Sequence, residues 1–348
     1  MADKFRIDSH KLMFHPRRVT EWLDGKPVSP IYLELSPTGA CNHRCVFCGM
    51  DFMGHKPNYL ELEDMKPVLA GMGRVGVKSI MYCGEGEPFM HRRMVELAVE
   101  TKKAGIDVSL TSNGVLFTPD KARDVLSVAS WIKISCNAGT ADTYARIHGT
   151  DPSDFYKFMD NIAEAVKIRA EQGSTCTIGV QMLLLSENMD EAVKLGVAMR
   201  DFGVDYMVIK PYSVHRQSTK DVCLVPEYAC LAGVAAELDE LNTTDFKIIF
   251  RHEAMRRKEF TASYDKCLAL PFWGYVDSGG DFWGCLRHIG EQEFNYGNIF
   301  TSSFEELIAS RRLPDDFSIE DCHLNCRMDL CNEYLWELRH PGPHVNFI

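Results

Sequence analysis

Between Ile31 and Lys210, short apolar runs rich in β-branched and aromatic residues alternate with longer stretches in which apolar residues recur at helical spacing. The runs at Ile31–Ser36, Lys78–Cys83, Ile106–Thr111, Trp131–Cys136, Thr175–Leu183 and Asp205–Lys210 read as strands. Several are apolar enough for strands covered on both faces. Met90–Ala104, Phe155–Ala170 and Met189–Phe202 read as helices, and Gly105 and Gly203 follow two of them where a helix end favours glycine. Thr118-Pro119-Asp120 opens a further helix, with Thr118 as N-cap and Pro119 at the first helical position, ahead of Ala122, Val125, Leu126 and Ala129. Six strand–helix units predict an α/β fold, a partial (β/α)6 TIM-like barrel over residues 31–240.

Residues 1–30 read as a helix and connector, with Trp22 and Leu23 available to pack on the barrel. Beyond Leu241 no further strand–helix unit is legible. Aromatics and glycines crowd into Pro271–Phe300 and cysteines recur, so residues 241–348 are predicted as a small α+β cysteine-rich domain. Within it, two aromatic segments flank Ser278-Gly279-Gly280 and read as a β-hairpin over Tyr275–Trp283.

A length of 348 residues accommodates a barrel and a small domain. Lys and Arg total 38 against 49 Asp and Glu, a net charge of -11 that disfavours nucleic acid and anionic membranes as partners. No apolar run approaches the ~20 residues of a membrane span, and the first residues lack the apolar core of a signal peptide, which predicts a cytoplasmic protein without a membrane partner. In that compartment thirteen cysteines are not a disulfide framework, so clustered cysteines read as metal ligands.

Directly after the first strand stands Cys41-Asn42-His43-Arg44-Cys45-Val46-Phe47-Cys48, whose three thiols one compact loop can aim at a single point. Three ligands leave a metal site open, and the loop falls at the C-terminal end of a strand, where βα barrels carry their chemistry. The spacing resembles the signature of the radical S-adenosylmethionine (SAM) superfamily. That resemblance implies that Cys41, Cys45 and Cys48 hold a 4Fe-4S cluster whose fourth iron binds SAM, with Phe47 near the adenine. Gly84-Glu85-Gly86-Glu87-Pro88 is similar to the family's GGEP motif, with Glu85 in place of the first glycine. Ser112 and Asn113, Ser135 and Asn137, Gln181, and Tyr212 fall after later strands, where the resemblance implies contacts to the rest of SAM.

A second group comprises Cys267, Cys285, Cys322, Cys326 and Cys331. It resembles the SPASM and twitch extensions of radical SAM enzymes, which implies an auxiliary 4Fe-4S cluster on Cys267, Cys285, Cys322 and Cys326, with Cys331 as a substitute ligand, a hydrogen-atom donor or a spectator. A tetrahedral zinc site is the alternative. Cys83, Cys136, Cys176, Cys223 and Cys230 receive no role.

The resemblance implies hydrogen abstraction from a substrate by a 5'-deoxyadenosyl radical, with electrons supplied by a reductant such as flavodoxin or ferredoxin. Lys210, His215, Arg216, Arg287 and His288 are polar residues available for substrate binding or proton transfer, Lys210, His288 and Cys331 being the catalytic candidates. Forty residues before Cys41 are too few for a leader-peptide-binding domain, which favours a small molecule, such as a polyol, sugar, aminocyclitol or nucleoside, undergoing oxidation or epimerisation. Maturation of a ribosomal peptide by crosslinking or epimerisation is the rival enzymatic reading. A non-catalytic iron-sulfur electron carrier is the rival of another class.

Overall fold

The computed structural model describes residues 4–7, 9–212, 215–220, 231–251, 262–322 and 326–347. Strands β1 (Tyr32–Leu35), β2 (Ser79–Tyr82), β3 (Asp107–Ser112), β4 (Ala129–Ser135), β5 (Thr177–Leu184) and β6 (Tyr206–Pro211) pair in sequence order, all parallel. They coincide with the six predicted runs to within two residues at each end. After α1 (Pro16–Leu23), helices cover the outside: α2 (Leu62–Arg74), α3 (Met94–Lys103), α4 (Pro119–Val125), α5 (Ala141–His148), α6 (Ser153–Gln172) and α7 (Ala192–Phe202). Pro119 takes the first position of α4 as expected, although the Thr118 side chain makes no capping bond. Gly105 and Gly203 adopt φ of +77° and +81° at the ends of their helices, a region costly for any residue with a Cβ.

The side-chain alternation of the strands divides the barrel wall into two faces. Ile80 and Tyr82, Val108 and Leu110, Ile132 and Ile134, Ile178 and Val180, and Met207 and Ile209 are buried outward, in one continuous core with the helices. The intervening positions, among them Glu34, Thr111, Lys133, Ser135, Gln181 and Lys210, therefore face the barrel lumen, which is markedly more polar.

The sheet extends beyond six strands. A helix α8 (Ala232–Asp239) leads into β7 (Lys247–Phe250), which pairs parallel with β6. The sequence pattern does not show this unit, because the Ala-rich helix that precedes the strand carries a weak amphipathic signal. At the opposite edge β8 (Trp273–Val276) pairs parallel with β1, Tyr32 opposite Trp273 and Leu35 opposite Val276. β9 (Asp281–Trp283) and β10 (Asn295–Asn298) follow antiparallel, giving the order β10-β9-β8-β1-β2-β3-β4-β5-β6-β7. The predicted hairpin is thus present, and its first strand continues the barrel sheet. Asp277 shapes its turn, accepting from the backbone N–H of Gly279 (2.8 Å) and Asp281 (3.0 Å) and from Trp283 Nε1 (2.8 Å).

Trp22 packs with Val19, Ile31, Leu268, Phe272 and Leu335, away from the helical layer of the barrel. Leu23, expected to pack beside it, is 42% exposed, because adjacent helical residues point about 100° apart. Among the described residues no helix is long and apolar enough to cross a membrane.

Candidate active site

The Cys41–Cys48 loop leaves β1 and docks on the C-terminal end of α5: Arg44 N–H donates to the His148 carbonyl (3.1 Å) and Val46 N–H to that of Ile147 (2.9 Å). Gly149 permits this approach, since a Cβ there would collide with the Arg44 carbonyl. Cys41, Cys45, Cys48 and Phe47 line one cavity of about 170 Å³, together with Gly84, Glu85, Gly86, Glu87, Thr111, Ser112, Asn113 and Ser135 from the ends of β2, β3 and β4. Cys83, to which the sequence pattern assigns no role, also lines it, directly before the glycine-rich segment. Burial pushes the Cys41 thiol up to about 11, and Cys45 and Cys48 in the same direction. Both a nucleophile and a metal ligand need the thiolate form, so what points to metal ligation is the convergence of three sulfurs on one cavity.

The segment from Gly84 to Pro88 is shaped by contacts that exclude side chains. A Cβ on Gly86 would overlap the carbonyl oxygens of Ala40 and Thr38, and one on Gly84 would sit 2.5 Å from the Tyr275 hydroxyl. Glu87, completely desolvated, accepts from Ser112 Oγ (2.7 Å), Asn113 N–H (2.7 Å) and Phe89 N–H (3.1 Å). It ties the end of β2 to the end of β3, and Pro88 starts the 3-10 turn that follows. Glu85 reaches across to the C-terminal hairpin, accepting from Ser278 N–H (2.8 Å) and Ser278 Oγ (2.9 Å).

Asn113 Nδ2 donates to Asn42 Oδ1 of the cysteine loop at 2.8 Å. The Asn137 side chain is engaged within the protein, its Oδ1 accepting from Leu183 N–H at 2.6 Å. Asn137 N–H donates to His148 Nε2 (3.2 Å), which leaves the ring proton on Nδ1, facing Cys45 Sγ at 3.6 Å. His148 thus presents an N–H to a proposed cluster ligand, and burial, then His43, holds its pKa down to about 3. His43, Cys45 and His148 have ligand atoms within 4.8 Å of one another. Phe47 meets the His148 ring edge-on at 5.6 Å and packs beside Tyr212, Ile147 and Leu185. Gln181 is buried on the lumen face of β5, opposite Ser135.

The second cysteine group also converges. Burial raises the Cys267 thiol, and the nearby sulfurs of Cys326, Cys285 and Cys322 raise it further. Cys331 packs against the apolar cluster containing Trp22 and Leu335. Arg287 lies beside Cys322, Cys285 and Cys326, whose proximity partly offsets the depression of its pKa by burial. Arg327, next to Cys326, extends into the barrel and pairs with Glu34 of β1.

Of the remaining polar residues, His288 is bound by Glu291 (2.7 Å) and stacked on Phe294, with ring centroids 4.0 Å apart. Arg216 pairs with the same Glu291 at 3.5 Å. His215 accepts from Gln217 N–H, so its Nε2 donates to the Leu286 carbonyl (3.1 Å), and its ring stacks on Phe52. These contacts brace the segment after β6 against the C-terminal region. Lys210 stands on the lumen face of β6. Cys223 and Cys230 lie outside the described residues.

Residues 35–196 match the family profile of the radical SAM superfamily, and the chain carries a domain of that superfamily. Over 182 residues it is 29% identical to a probable GTP 3',8-cyclase of Saccharolobus solfataricus, covering 52% of this chain and 56% of that one. A GTP 3',8-cyclase of Clostridium acetobutylicum is 26% identical over 177 residues, 49% of this chain and 54% of that one. The chain therefore spans about half the length of these curated relatives. In fold it is similar to Streptococcus suis SuiB bound to S-adenosylmethionine, with a TM-score of 0.67 and 16% identity over 95% of this chain and 80% of that one. The SuiB structure with its precursor peptide SuiA gives 0.66 at 16% identity over 87% and 70%, and anSMEcpe with bound AdoMet gives 0.57 at 16% identity over 80% of each chain. At such identities the likeness is one of fold.

Proposed function

We propose that this protein is a radical SAM enzyme that oxidises or epimerises a small molecule held in the barrel lumen. The observation that carries this reading is the convergence of Cys41, Cys45 and Cys48 on one cavity whose other wall is the side-chain-free backbone of Gly84 and Gly86. Three thiols and a bare backbone fit a 4Fe-4S cluster with one iron left to a bidentate ligand such as SAM. Cys267, Cys285, Cys322 and Cys326 form the second, auxiliary 4Fe-4S site. When loaded, the first site supplies reductive SAM cleavage and hydrogen-atom abstraction, and the second a one-electron acceptor.

The chain's own residues position these elements. Glu87 braces the SAM-facing backbone against β3, and Asn113 fixes the cysteine loop through Asn42. Arg327 links Cys326 to Glu34, so one residue separates the auxiliary thiols from the lumen. Loss of a hydrogen atom and an electron from substrate carbon, with release of a proton, is a two-electron oxidation. The relatives named GTP 3',8-cyclase support a small, nucleotide-like substrate over a peptide.

Anaerobically reconstituted protein given dithionite and SAM should release 5'-deoxyadenosine and methionine. The triple variant Cys41→Ala/Cys45→Ala/Cys48→Ala should release neither while retaining roughly four irons per chain. Absence of 5'-deoxyadenosine from the fully loaded wild type would leave an electron carrier as the better reading. Transfer of deuterium from a labelled peptide, and from no small molecule, would favour peptide maturation.

A further inference from the structure

The lumen beneath the cysteine cavity holds an unusual charge distribution. On β4, Trp131, Lys133 and Ser135 alternate with Ile132 and Ile134, which are buried in the outer core. On β6, Tyr206, Val208 and Lys210 alternate in the same way with Met207 and Ile209. Lys133 and Lys210 therefore both point into the barrel. Its floor is closed by Tyr206, Val208 and Ile249, against which Phe5 and Ile7 pack from the N-terminal segment. A Cβ on Gly179 would overlap the Tyr206 ring, so that glycine lets the floor residue lie flat. Ser135 and Cys83 belong to the roof, lining the cavity of the cysteine loop. Both lysines thus stand half-buried on the lumen wall, Lys133 at the level of Tyr206 and Lys210 nearer the strand ends that carry the proposed SAM site.

Around them the balance is cationic in a protein whose net charge is -11. Arg327 enters from the C-terminal region and Arg251 follows β7. Among the described residues the carboxylate facing the two lysines is Glu34, which is paired with Arg327 and accepts from the Tyr32 hydroxyl at 2.8 Å. Among the described residues neither lysine forms an ion pair; Lys133 Nζ stands 5.7 Å over the Trp131 ring. A structural cation in this fold is satisfied differently: Arg169 pairs with Asp205 and also donates to the Cys176 and Gly203 carbonyls. Burial, then Arg327, lowers Lys133 to about 8, while burial, then Lys133, Arg327 and Arg251, holds Lys210 well below its ordinary value. Crowding like charges in a half-buried lumen costs free energy, and an anionic ligand removes that cost.

The geometry points to an oxyanion subsite: we propose that Lys133 and Lys210 together bind a phosphate or carboxylate group of the substrate. Lysine suits this role, because its ammonium offers three rotatable donors as a compact charge. The inference rests on reading the lumen as the substrate site and narrows the substrate to one bearing an anionic group. It also assigns a function to Lys133, which the strand pattern alone presents as an ordinary polar position.

The test is isothermal titration calorimetry on full-length, anaerobically prepared protein without SAM, using inorganic pyrophosphate, malonate and uncharged glucose as probes. Wild type should bind pyrophosphate or malonate at a single saturable site and show no heat with glucose; the tighter of the two anions identifies phosphate or carboxylate. Lys133→Met and Lys210→Met should each weaken that binding about tenfold or more, and Lys133→Arg should retain it. The ligand-free Met variants should unfold at the same or higher temperature than wild type, because a cation crowded by like charges has been removed, and should lose the anion-induced thermal shift. No saturable anion binding to wild type, equal binding to the variants, or a destabilised Met variant that still binds the anion would each overturn the proposal. Because SAM cleavage is measured separately, intact anion binding without 5'-deoxyadenosine release would remove the enzymatic reading and leave the subsite standing.

Discussion

Glu85 illustrates how one side chain joins distant parts of this chain. It replaces the first glycine of the motif it resembles, and its carboxylate spans 193 residues of sequence to Ser278. Glu85→Ala leaves the buried Ser278 N–H and hydroxyl unpaired and should lower stability by about 1–3 kcal/mol in urea unfolding. Glu85→Gln, which keeps an acceptor oxygen, should recover most of that loss. Burial raises the Glu85 carboxyl above its ordinary 4.5, so the folded chain retains this proton to higher pH than the unfolded chain. The stability due to this group therefore declines as pH rises from about 4.5 through the folded value. The Gln variant should lack that component of the decline, and an identical pH profile for the two proteins would contradict the assignment.

At the scale of elements, β1 to β6 were legible because each is a short apolar run between helical periods, the signature of a parallel sheet covered on its outer face. The cysteine loop and Gly84–Pro88 were equally legible, being local in sequence and set at strand ends. Three features were not. β7 follows the Ala-rich α8, whose apolar residues mark no clear face and so do not announce a strand–helix unit. β8 finds its partner 241 positions earlier in sequence, Trp273 against Tyr32, and no local pattern encodes that pairing. Lys133 alternates with Ile132 and Ile134 as a solvent-facing strand residue would, and only the curling of the sheet into a partial barrel places it inside. The β8 pairing has a steric requirement of its own at Gly274, opposite Leu33, where a Cβ would lie 2.5 Å from the Phe282 ring. Gly274→Val should therefore push β9 off β8 and cost about 1–3 kcal/mol as an overpacked site. Urea denaturation measures that loss, and wild-type stability in the variant would mean that the hairpin adjusts freely.

For the molecule as a whole, the pairing of β8 with β1 makes the cysteine-rich region an extension of the barrel sheet. The backbone ladder runs unbroken from β10 to β7, and Trp22, Ile31, Phe272 and Leu335 form an apolar cluster joining the chain's first helix to its last. Glu85 to Ser278 and Glu34 to Arg327 add polar ties between the same regions. Unfolding the segment after residue 262 would expose an edge of β1 and part of that cluster, so the two regions should lose structure together. Scanning calorimetry of the full chain, with its iron in place, should give one transition. Ligands that bind only the folded state raise its stability, by an amount that grows with the logarithm of their affinity. Removing iron with a chelator under reducing conditions should therefore move that single transition to lower temperature without splitting it. Two resolved transitions, with only the lower one sensitive to the chelator, would mean instead that the cysteine-rich region unfolds as an independent unit and that the β1–β8 ladder contributes little to its stability.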